Sequence, residues 1–386
     1  MVPKTAQTIN ATSHEERTYG ELANQVVAVH AALESLGLCA GDKLCLIVAN
    51  RLELLPIFLG AACANVGVAY DYPGYAIEVL TEWMKDIEFT AICCEPSNID
   101  SALELKARLP TIKRIISLGE PTSVPHGAEG AVVLWSELIK MGTVACSLAA
   151  PSVEYQMNRI CYMNSTSGTT GKPKMVVHYH DSLVASVQAN SHRQHMGLTL
   201  EDVVLCTGSL GHVYALFDCA CKAIVQGATC AFLEEANADA LLEALQRFKV
   251  TALSTVPYLA RGLLDHPQRS RYDLSRLQYV ATGSNYISED VARRLFYELH
   301  LKSYIQSLPH PQAGQLPHAV IVPKNESKHL GLEHYITFVN ERVPKQLQLE
   351  GGVTLVDSIP RNKIGKLVRR ELLNMVLELR TRKHLK

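Results

Sequence analysis

The sequence predicts an α/β fold, with a large multi-sheet N-terminal domain and a small α+β C-terminal domain. Three observations carry this prediction. Strand and helix patterns alternate from Thr18 to about Tyr304, which is typical of parallel strands joined by crossover helices. Shorter and more mixed patterns follow. A chain of 386 residues, 47% of them hydrophobic and 19% charged, can bury a core of this size. We therefore predict domains at 1–306 and 307–386.

The first elements follow from capping signals and hydrophobic spacing. Thr18 and Glu21 have the spacing of a capping box, and apolar residues at helical spacing run to Leu36, after which Gly37 ends the helix. The patterns that follow are a strand at 43–49, a helix at 52–64 with a strand after it, and strands at 89–94 and 114–118 separated by further helices. Residues 119–152 carry Pro, Gly and Ser and are interpreted as a connector.

The same alternation resumes after the connector. Strands at 159–163 and 175–178 flank a polar, glycine-containing loop, which is therefore predicted to connect a hairpin. Further strands are predicted at 203–206, 229–233, 251–254 and 277–281, with helices between them. The C-terminal pattern is a strand at 318–323, a helix at 332–342, a strand at 352–356 and a polar turn at 359–366 before a final helix. The sequence shows no internal repeat.

Charge and cysteine content exclude several classes of function. With 37 Lys and Arg against 38 Asp and Glu, the formal net charge is −1, so we expect neither nucleic acid nor an anionic membrane as a partner. Eleven cysteines lie among apolar residues without the paired spacing of zinc ligands, and we interpret them as reduced core residues. The longest apolar run, 54–70, is interrupted by Pro and Gly, so no transmembrane segment is expected.

The two ends of the sequence give an expectation about localisation. No signal-peptide pattern opens the sequence, and the last three residues, His384, Leu385 and Lys386, differ from the Ser-Lys-Leu peroxisomal address. We expect an intracellular protein, with cytoplasmic and peroxisomal locations both open. The oligomeric state is open as well.

The loop between the two predicted hairpin strands is the first candidate site. It is not a P-loop, because Thr166 stands where that motif needs glycine and Pro173 where it needs Ser or Thr. Backbone amides, hydroxyls and ammonium groups in one loop can nevertheless hold a polyphosphate, whereas the alternative is a solvated Gly/Thr hairpin. The candidate phosphate-binding residues are Ser165, Thr166, Ser167, Gly168, Thr169, Thr170, Gly171, Lys172 and Lys174.

This loop resembles the signature loop of the adenylate-forming, AMP-binding superfamily, which includes acyl-CoA synthetases, 4-coumarate-CoA ligase and firefly-luciferase-like enzymes. Other segments follow in the family's order. The stretch 17–22 is similar to the family's opening, and Gly211, His212, Val213 and Tyr214 resemble its acyl-pocket segment. The segment 360–366 is similar to the last motif, whose terminal lysine is Lys366. The stretch that resembles the adenine-side loop contains Gly283, Ser284, Asn285 and Tyr286.

The resemblance implies a ligase that uses ATP, Mg²⁺ and coenzyme A on a small-molecule carboxylic acid, either fatty or aryl. The carboxylate would attack the α-phosphorus of ATP, and coenzyme A would then take the acyl group from the adenylate. Catalytic Lys366 would bridge the carboxylate and the α-phosphate, and His212 would line the acyl pocket. Each residue has a structural alternative: a surface lysine beside a turn for Lys366, a hydrogen-bonded core histidine for His212, and a strand cap for Lys174.

The sequence departs from the family after Gln306. The family continues with a Thr-Glu pair that serves phosphate and Mg²⁺, an aspartate that binds ribose, and a hinge, and none of these has a counterpart here. We interpret the junction as an internal block missing after Gln306, which leaves a truncated C-terminal domain and predicts unpaired strand edges. Two alternatives to an active ligase follow: a catalytically impaired chain with residual nucleotide or acyl binding, regulatory or without a role, and a luciferase-like monooxygenase.

Overall fold

The computed structural model describes most of the chain in two compact units. The larger unit holds the described residues up to Gln306, and the smaller unit holds those from Ala319 on. The described residues are 7–71, 76–119, 130–148, 156, 158–165, 175–191, 197–283, 289–299, 303–306, 319–323, 330–341, 349, 353–360, 371–372, 375 and 378–379. No helix within these ranges is long and apolar enough to cross a membrane.

Strands and helices alternate through the larger unit, as the sequence predicts. In chain order the strands are β1 Gln7–Asn10, β2 Glu16–Thr18, β3 Lys43–Ile47, β4 Gly67–Asp71, β5 Ala91–Cys94, β6 Arg114–Ser117, β7 Val132–Leu134, β8 Ile160–Ser165, β9 Met175–Tyr179, β10 Val203–Cys206, β11 Thr229–Phe232, β12 Ala252–Thr255, β13 Tyr279–Thr282, β14 Ser303–Gln306, β15 Ala319–Ile321 and β16 Val353–Leu355.

The helices lie between these strands in the chain. They are α1 Tyr19–Ser35, α2 Leu54–Cys63, α3 Ile77–Met84, α4 Ile99–Arg108, α5 Trp135–Leu148, α6 His180–Asn190, α7 Lys222–Gln226, α8 Ala238–Arg247, α9 Pro257–Asp265, α10 Glu289–Glu298 and α11 Leu332–Asn340, with a π-helix at Tyr214–Cys221 and 3₁₀ turns at Pro96–Asn98 and Arg269–Arg271.

Two seven-stranded sheets organise the larger unit. The first has the order β7-β6-β5-β3-β4-β8-β9, and the second has the order β14-β13-β12-β10-β11-β1-β2. In each sheet six strands run parallel, and the seventh, β9 or β2, closes one edge in antiparallel pairing. The predicted α/β fold class with several sheets is therefore confirmed. The hairpin predicted around the polar loop is also confirmed, because β8 and β9 pair antiparallel.

Local signals placed the element ends well. Thr18 caps α1 in a reciprocal capping box with Glu21, and Gly37 follows that helix at a φ of +85°, in the left-handed region that glycine tolerates.

The edge strand β14 pairs with β13 alone among the described strands. One side of β14 therefore has no strand partner within those residues.

One prediction about the larger unit is wrong. Residues 119–152 were expected to form a connector, but the segment from Val132 onwards supplies β7 and then the 14-residue helix α5. Helix α5 packs closely on α1, because a Cβ at Gly142 would lie 1.8 Å from the carbonyl oxygen of Ala28. The glycine therefore permits a close helix–helix approach that a larger residue would prevent.

The cysteine prediction holds for most positions. All eleven cysteines are free, and eight are buried, which agrees with their interpretation as reduced core residues. Cys39 is exposed, whereas Cys63 and Cys146 are half-buried. The core prediction is therefore wrong for Cys39, which lies in the turn between α1 and β3.

The smaller unit is built from short elements. Its strands β15 and β16 pair in parallel, and α11 lies between them in the chain. Val353 in β16 and Val356 just after it are buried. These helices and strands agree with the predicted small α+β fold. Most of the predicted polar turn at 359–366 and part of the final helix lie outside the described residues.

Candidate functional site

Three of the segments predicted to bind substrate follow the carboxyl ends of parallel strands. The signature loop begins at Ser165, the last residue of β8, and Gly283 comes directly after β13. The segment with His212 follows β10. Ligands of open α/β sheets bind outside the carboxyl ends of the strands. All three segments therefore leave their sheets at the kind of edge where such sites occur.

Several predicted site residues lie outside the described residues. These are Thr166, Ser167, Gly168, Thr169, Thr170, Gly171, Lys172, Lys174, Ser284, Asn285, Tyr286 and Lys366. Their assignments to phosphate, adenine and catalysis stay predictions. The structure describes the backbone of Ser165 together with Gly283 and His212.

Asn50 anchors the loop at 208–212 to the first sheet. Its side chain is 5% exposed and lies three residues after β3. The Nδ2 group donates to the carbonyl oxygens of Gly208 at 3.0 Å and Leu233 at 2.8 Å, and Oδ1 accepts from the amide nitrogen of Leu210 at 2.7 Å. One buried amide side chain thus links the carboxyl end of β3 to segments that follow β10 and β11.

Two tyrosines of the first sheet fix the same loop. The hydroxyl of Tyr70 donates to the carbonyl oxygen of Val48 at 2.6 Å and accepts from Oγ of Ser209 at 2.9 Å. The buried Tyr162 hydroxyl donates to the carbonyl oxygen of Gly211. A Cβ at Gly211 would lie 1.8 Å from the ring of Tyr70, so only glycine fits without displacement. The residue before His212 is therefore held against a rigid aromatic surface.

The side chain of His212 is exposed at the start of the π-helix. Its Nδ1 accepts from the amide nitrogen of Tyr214 at 3.4 Å, and its carbonyl oxygen accepts from the amide nitrogen of Leu216 at 2.9 Å. The alternative that His212 is a core histidine is wrong, because the residue is not buried. The exposed imidazole therefore lies on an anchored loop that follows the carboxyl end of β10.

A network of neutral hydroxyl and thiol groups lies under the π-helix. Ser254 of β12 donates from Oγ to the hydroxyl of Tyr214 at 2.6 Å, and the Sγ of Cys219 lies 3.0 Å from Oγ of Ser254. Burial raises the pKa of Tyr214, and a hydrogen bond with Cys206 together with burial raises the pKa of Cys219. Both groups are therefore uncharged near neutral pH and fix the aromatic ring that follows His212.

The base of the β8–β9 hairpin is also cross-linked. His178 of β9 lies with Nε2 at 3.0 Å from Oδ1 of Asn164 in β8, and its ring packs edge-on against Phe217 with centroids 5.5 Å apart. Burial lowers the pKa of His178, so the ring is neutral and its N–H donates to Asn164. The strands that carry the signature loop are therefore fixed to each other and to the π-helix.

Two charged residues, Asp218 and Lys222, lie in the second half of the π-helix and directly after it. Asp218 is half-buried and accepts a hydrogen bond from Nδ2 of Asn190, and Lys222 is buried one turn further on. Burial raises the pKa of Asp218 and lowers the pKa of Lys222, while each charge opposes the effect of burial on the other. Each residue therefore favours the charged form of the other.

The described residues supply no metal centre by themselves. Within them, no three His, Cys, Asp or Glu side chains are grouped so that they could hold an ion. Magnesium at nucleotide sites is usually held by substrate phosphates and only one or two carboxylates. The described donors therefore do not define a magnesium site.

Sequence reasoning missed the residues that position the loop at 208–212. Asn50, Tyr70, Tyr162 and Ser254 were not candidates, although all four lie in or just after parallel strands. A usable signal existed for Asn50, which is a polar residue soon after an apolar strand and close to its carboxyl end. The tyrosines gave no such signal, because aromatic residues are common in buried strands.

Known proteins are similar to this chain over most of its length. Residues 3–306 match the family described as AMP-binding enzyme. The chain is 29% identical over 269 residues to 4-coumarate--CoA ligase 3 of Arabidopsis thaliana, an alignment that covers 69% of this chain and 46% of that protein. It is 27% identical over 286 residues to the acetyl-coenzyme A synthetase of Chlorobaculum tepidum, covering 69% of this chain and 42% of that protein.

Solved structures agree on the fold. A red-emitting luciferase from Phrixothrix hirtus superposes with a TM-score of 0.70 at 18% identity, over 79% of this chain and 73% of that one. At this level of identity the match concerns the fold alone. The chain spans about half the length of the curated relatives it matches.

Proposed function

From the premise that the chain belongs to the family of AMP-binding enzymes, we propose that it activates a carboxylic acid with ATP and transfers the acyl group to coenzyme A. The observation that carries the proposal is the position of three predicted binding segments after the carboxyl ends of β8, β10 and β13. Two relatives that differ in their named acid, a 4-coumarate--CoA ligase and an acetyl-coenzyme A synthetase, match the same chain. The acid is therefore proposed only as a fatty or aryl carboxylate.

The proposed reaction has two transfers. A carboxylate oxygen of the acid bonds to the α-phosphorus of ATP, the bond from that phosphorus to the bridging oxygen breaks, and pyrophosphate leaves with the electron pair. The thiolate sulfur of coenzyme A then bonds to the acyl carbon, and AMP leaves with the electrons of the carbon–oxygen bond. Negative charge accumulates on phosphoryl oxygens in the first transfer, so positioned donors and cations accelerate it.

Each segment has a proposed role in these transfers. The loop at 165–174 holds the β- and γ-phosphates, and residues 283–286 lie beside adenine. His212 lines the space for the acid, where Asn50 and Gly211 fix the position of its loop. Lys366 bridges the carboxylate and the α-phosphate. The anchored loop supports this arrangement because a positioning error of about 1 Å can cost about a hundredfold in rate.

A second candidate function is binding of nucleotide or acid without turnover. It is favoured by the strand β14, which pairs with β13 alone among the described strands, and by the end of the family match at residue 306. The sequence after Gln306 has no counterpart of the Thr-Glu pair or the ribose aspartate that the resemblance implies. Each lost charge-assisted contact would weaken the site by about 1.5–3 kcal/mol.

One experiment separates the two candidates. Exchange of labelled pyrophosphate into ATP is measured with a panel of fatty and aryl acids, on a sample shown to be folded and monodisperse. We expect acid-dependent exchange that the Lys366→Ala variant lowers by about a hundredfold or more. Lys363→Ala, in the same segment, is the matched control and should keep the exchange rate.

The other outcomes have defined meanings. Folded protein that binds ATP in equilibrium dialysis but shows no exchange with any acid would replace the ligase proposal by the binding candidate. Exchange that survives Lys366→Ala unchanged would remove that lysine from the reaction. Folded protein that binds neither ATP nor any acid of the panel, and exchanges no pyrophosphate, would contradict both candidates.

A further inference from the structure

The two sheets of the larger unit have the same strand order. In the first sheet, β3 lies between β4 and β5, and β6 and β7 continue beyond β5. In the second sheet, β10 lies between β11 and β12, and β13 and β14 continue beyond β12 in the same way. Both are doubly wound sheets: the second strand lies on one side of the first, and the third strand lies on its other side.

Such a strand order defines a switch point, where a crevice opens outside the carboxyl ends of two adjacent strands. In the second sheet the switch point lies between β10 and β12. Thr207, just after β10, donates from Oγ1 to Oγ1 of Thr255 in β12 at 3.0 Å, and the loop with His212 begins here. The proposed acid site therefore adjoins the switch point of the second sheet.

The switch point of the first sheet, between β3 and β5, carries a cavity of about 260 Å³. Its lining includes Ile47, the last residue of β3, and Cys94, the last residue of β5. Leu80 of α3 and Ala102 of α4 also line it. The cavity therefore lies at the switch point of the first sheet. In the second sheet, the equivalent switch point adjoins the proposed acid site.

The lining of this cavity is apolar at its floor and polar at its rim. Leu80, Ala102 and Leu105 are at most 3% exposed, and the rim carries the half-buried Asn98 and the exposed Ser101. Asn98 stands at the N-cap position of α4, yet its side chain makes no capping hydrogen bond, so its amide is available to a ligand.

The charge state of the lining restricts the ligand. Burial raises the pKa of Cys94 to about 12, so its thiol is neutral near pH 7. The described lining residues include no charged side chain. An ionised acid or a nucleotide would lose its hydration here without a compensating partner, which is unfavourable. The lining therefore selects an uncharged molecule.

The volume of the cavity limits the size of the ligand. An engineered apolar cavity of about 150 Å³ in another protein holds one benzene molecule. A cavity of about 260 Å³ has room for two fused rings or a short branched hydrocarbon of similar size. We propose that the β3/β5 cavity is a second ligand site, distinct from the nucleotide and acid site, and that it binds an uncharged, largely apolar molecule of this size with one hydrogen-bonding group toward Asn98 and Ser101.

The test is a titration of the full chain with indole, which is uncharged and carries one N–H donor. Binding is followed by the methyl resonance of Ile47 in a sample with labelled isoleucine methyl groups, because this residue lines the cavity. We expect a saturable shift of that resonance with a Kd of about 1 mM or tighter. The Ser101→Phe variant fills the rim and should weaken binding at least tenfold.

Two further variants keep the test decisive. Asp100→Phe adds the same ring to a neighbouring exposed position of α4 outside the lining and should leave the Kd unchanged. Asn98→Ala removes the amide from the rim without blocking the cavity and should weaken indole binding about threefold or more, which gives a readout if Ser101→Phe does not fold. Absence of a saturable shift at Ile47 in the unaltered chain, or equal affinity in Ser101→Phe and Asp100→Phe, would overturn the proposal.

Discussion

Replacing Asn50 by alanine removes the amide that fastens the loop at 208–212 to the first sheet. Three hydrogen bonds are lost: two donated to the carbonyl oxygens of Gly208 and Leu233, and one accepted from the amide nitrogen of Leu210. Each is worth about 1 kcal/mol, and the buried partners left unsatisfied add to the cost. We expect the free energy of unfolding of the larger unit to fall by about 3–5 kcal/mol.

Urea unfolding followed by tryptophan fluorescence measures this change. Both tryptophans, Trp83 in α3 and Trp135 in α5, lie in helices that cover the first sheet, so the signal reports the larger unit. Asn98→Ala is the matched control, because the Asn98 side chain makes no capping hydrogen bond. A midpoint for Asn50→Ala within the equivalent of about 0.5 kcal/mol of that control would refute the claim that this amide joins the two sheets.

Three further predictions concern the same region and the cysteines. Gly211→Ala places a Cβ 1.8 Å from the Tyr70 ring and should lower the free energy of unfolding by about 1–3 kcal/mol or more, measured in the same urea assay; a loss below about 1 kcal/mol would show that the ring can move. Burial lowers the pKa of His178 below 6.5, so the unfolded chain binds the proton more readily and stability should fall as the pH drops below about 6.5. His178→Gln should reduce the loss of unfolding free energy below about pH 6.5. An unchanged pH dependence of that free energy would contradict the lowered pKa of His178. Iodoacetamide at pH 7.5 should label exposed Cys39 at least about tenfold faster than buried Cys94, as peptide mass spectrometry can show; equal rates would contradict the described burial.

Local sequence signals predicted most elements of the fold. The capping box of Thr18 and Glu21, the stop at Gly37 and the apolar strand runs depend on neighbours within a few residues, and the structure reproduces them. The first strand was missed for the opposite reason. Gln7–Asn10 pairs with Thr229–Phe232, more than two hundred residues away, and a four-residue segment carries too little pattern to reveal that partner.

Helix α5 shows how a boundary signal can mislead. Pro, Gly and Ser are frequent in 119–130, and that composition was extended to the whole of 119–152. The helix Trp135–Leu148 instead packs on α1 through the close approach of Gly142 to Ala28. Glycine inside a helix lowers the intrinsic stability of that helix, so the local sequence argued against a helix here. The tertiary contact of Gly142 with Ala28 instead favours the helix.

For the candidate site, the sequence predicted segments but not the residues that position them. The segment with His212 was placed by its motif and order, whereas the bonds of Asn50 to Gly208 and Leu210 join residues about 160 apart in the chain. Such contacts depend on the packing of one sheet's carboxyl end against the other's loops. No local pattern encodes that packing, which is why the supporting amide and tyrosines became visible only in the structure.

The central proposal is that the segments after β8 and β13 bind the nucleotide, and that the segment after β10 binds the acid, at the carboxyl ends of their strands. Hydrogen exchange measured by mass spectrometry tests this most directly, on the full chain alone, with saturating ATP, and with ATP plus an acid of the panel. We expect ATP to slow exchange in peptides covering 165–175 and 279–286, the added acid to slow exchange in 207–214, and the cavity peptide 94–105 to stay unchanged. Protection confined to other peptides, or none of these three peptides protected when ATP and acid are bound, would contradict the proposal.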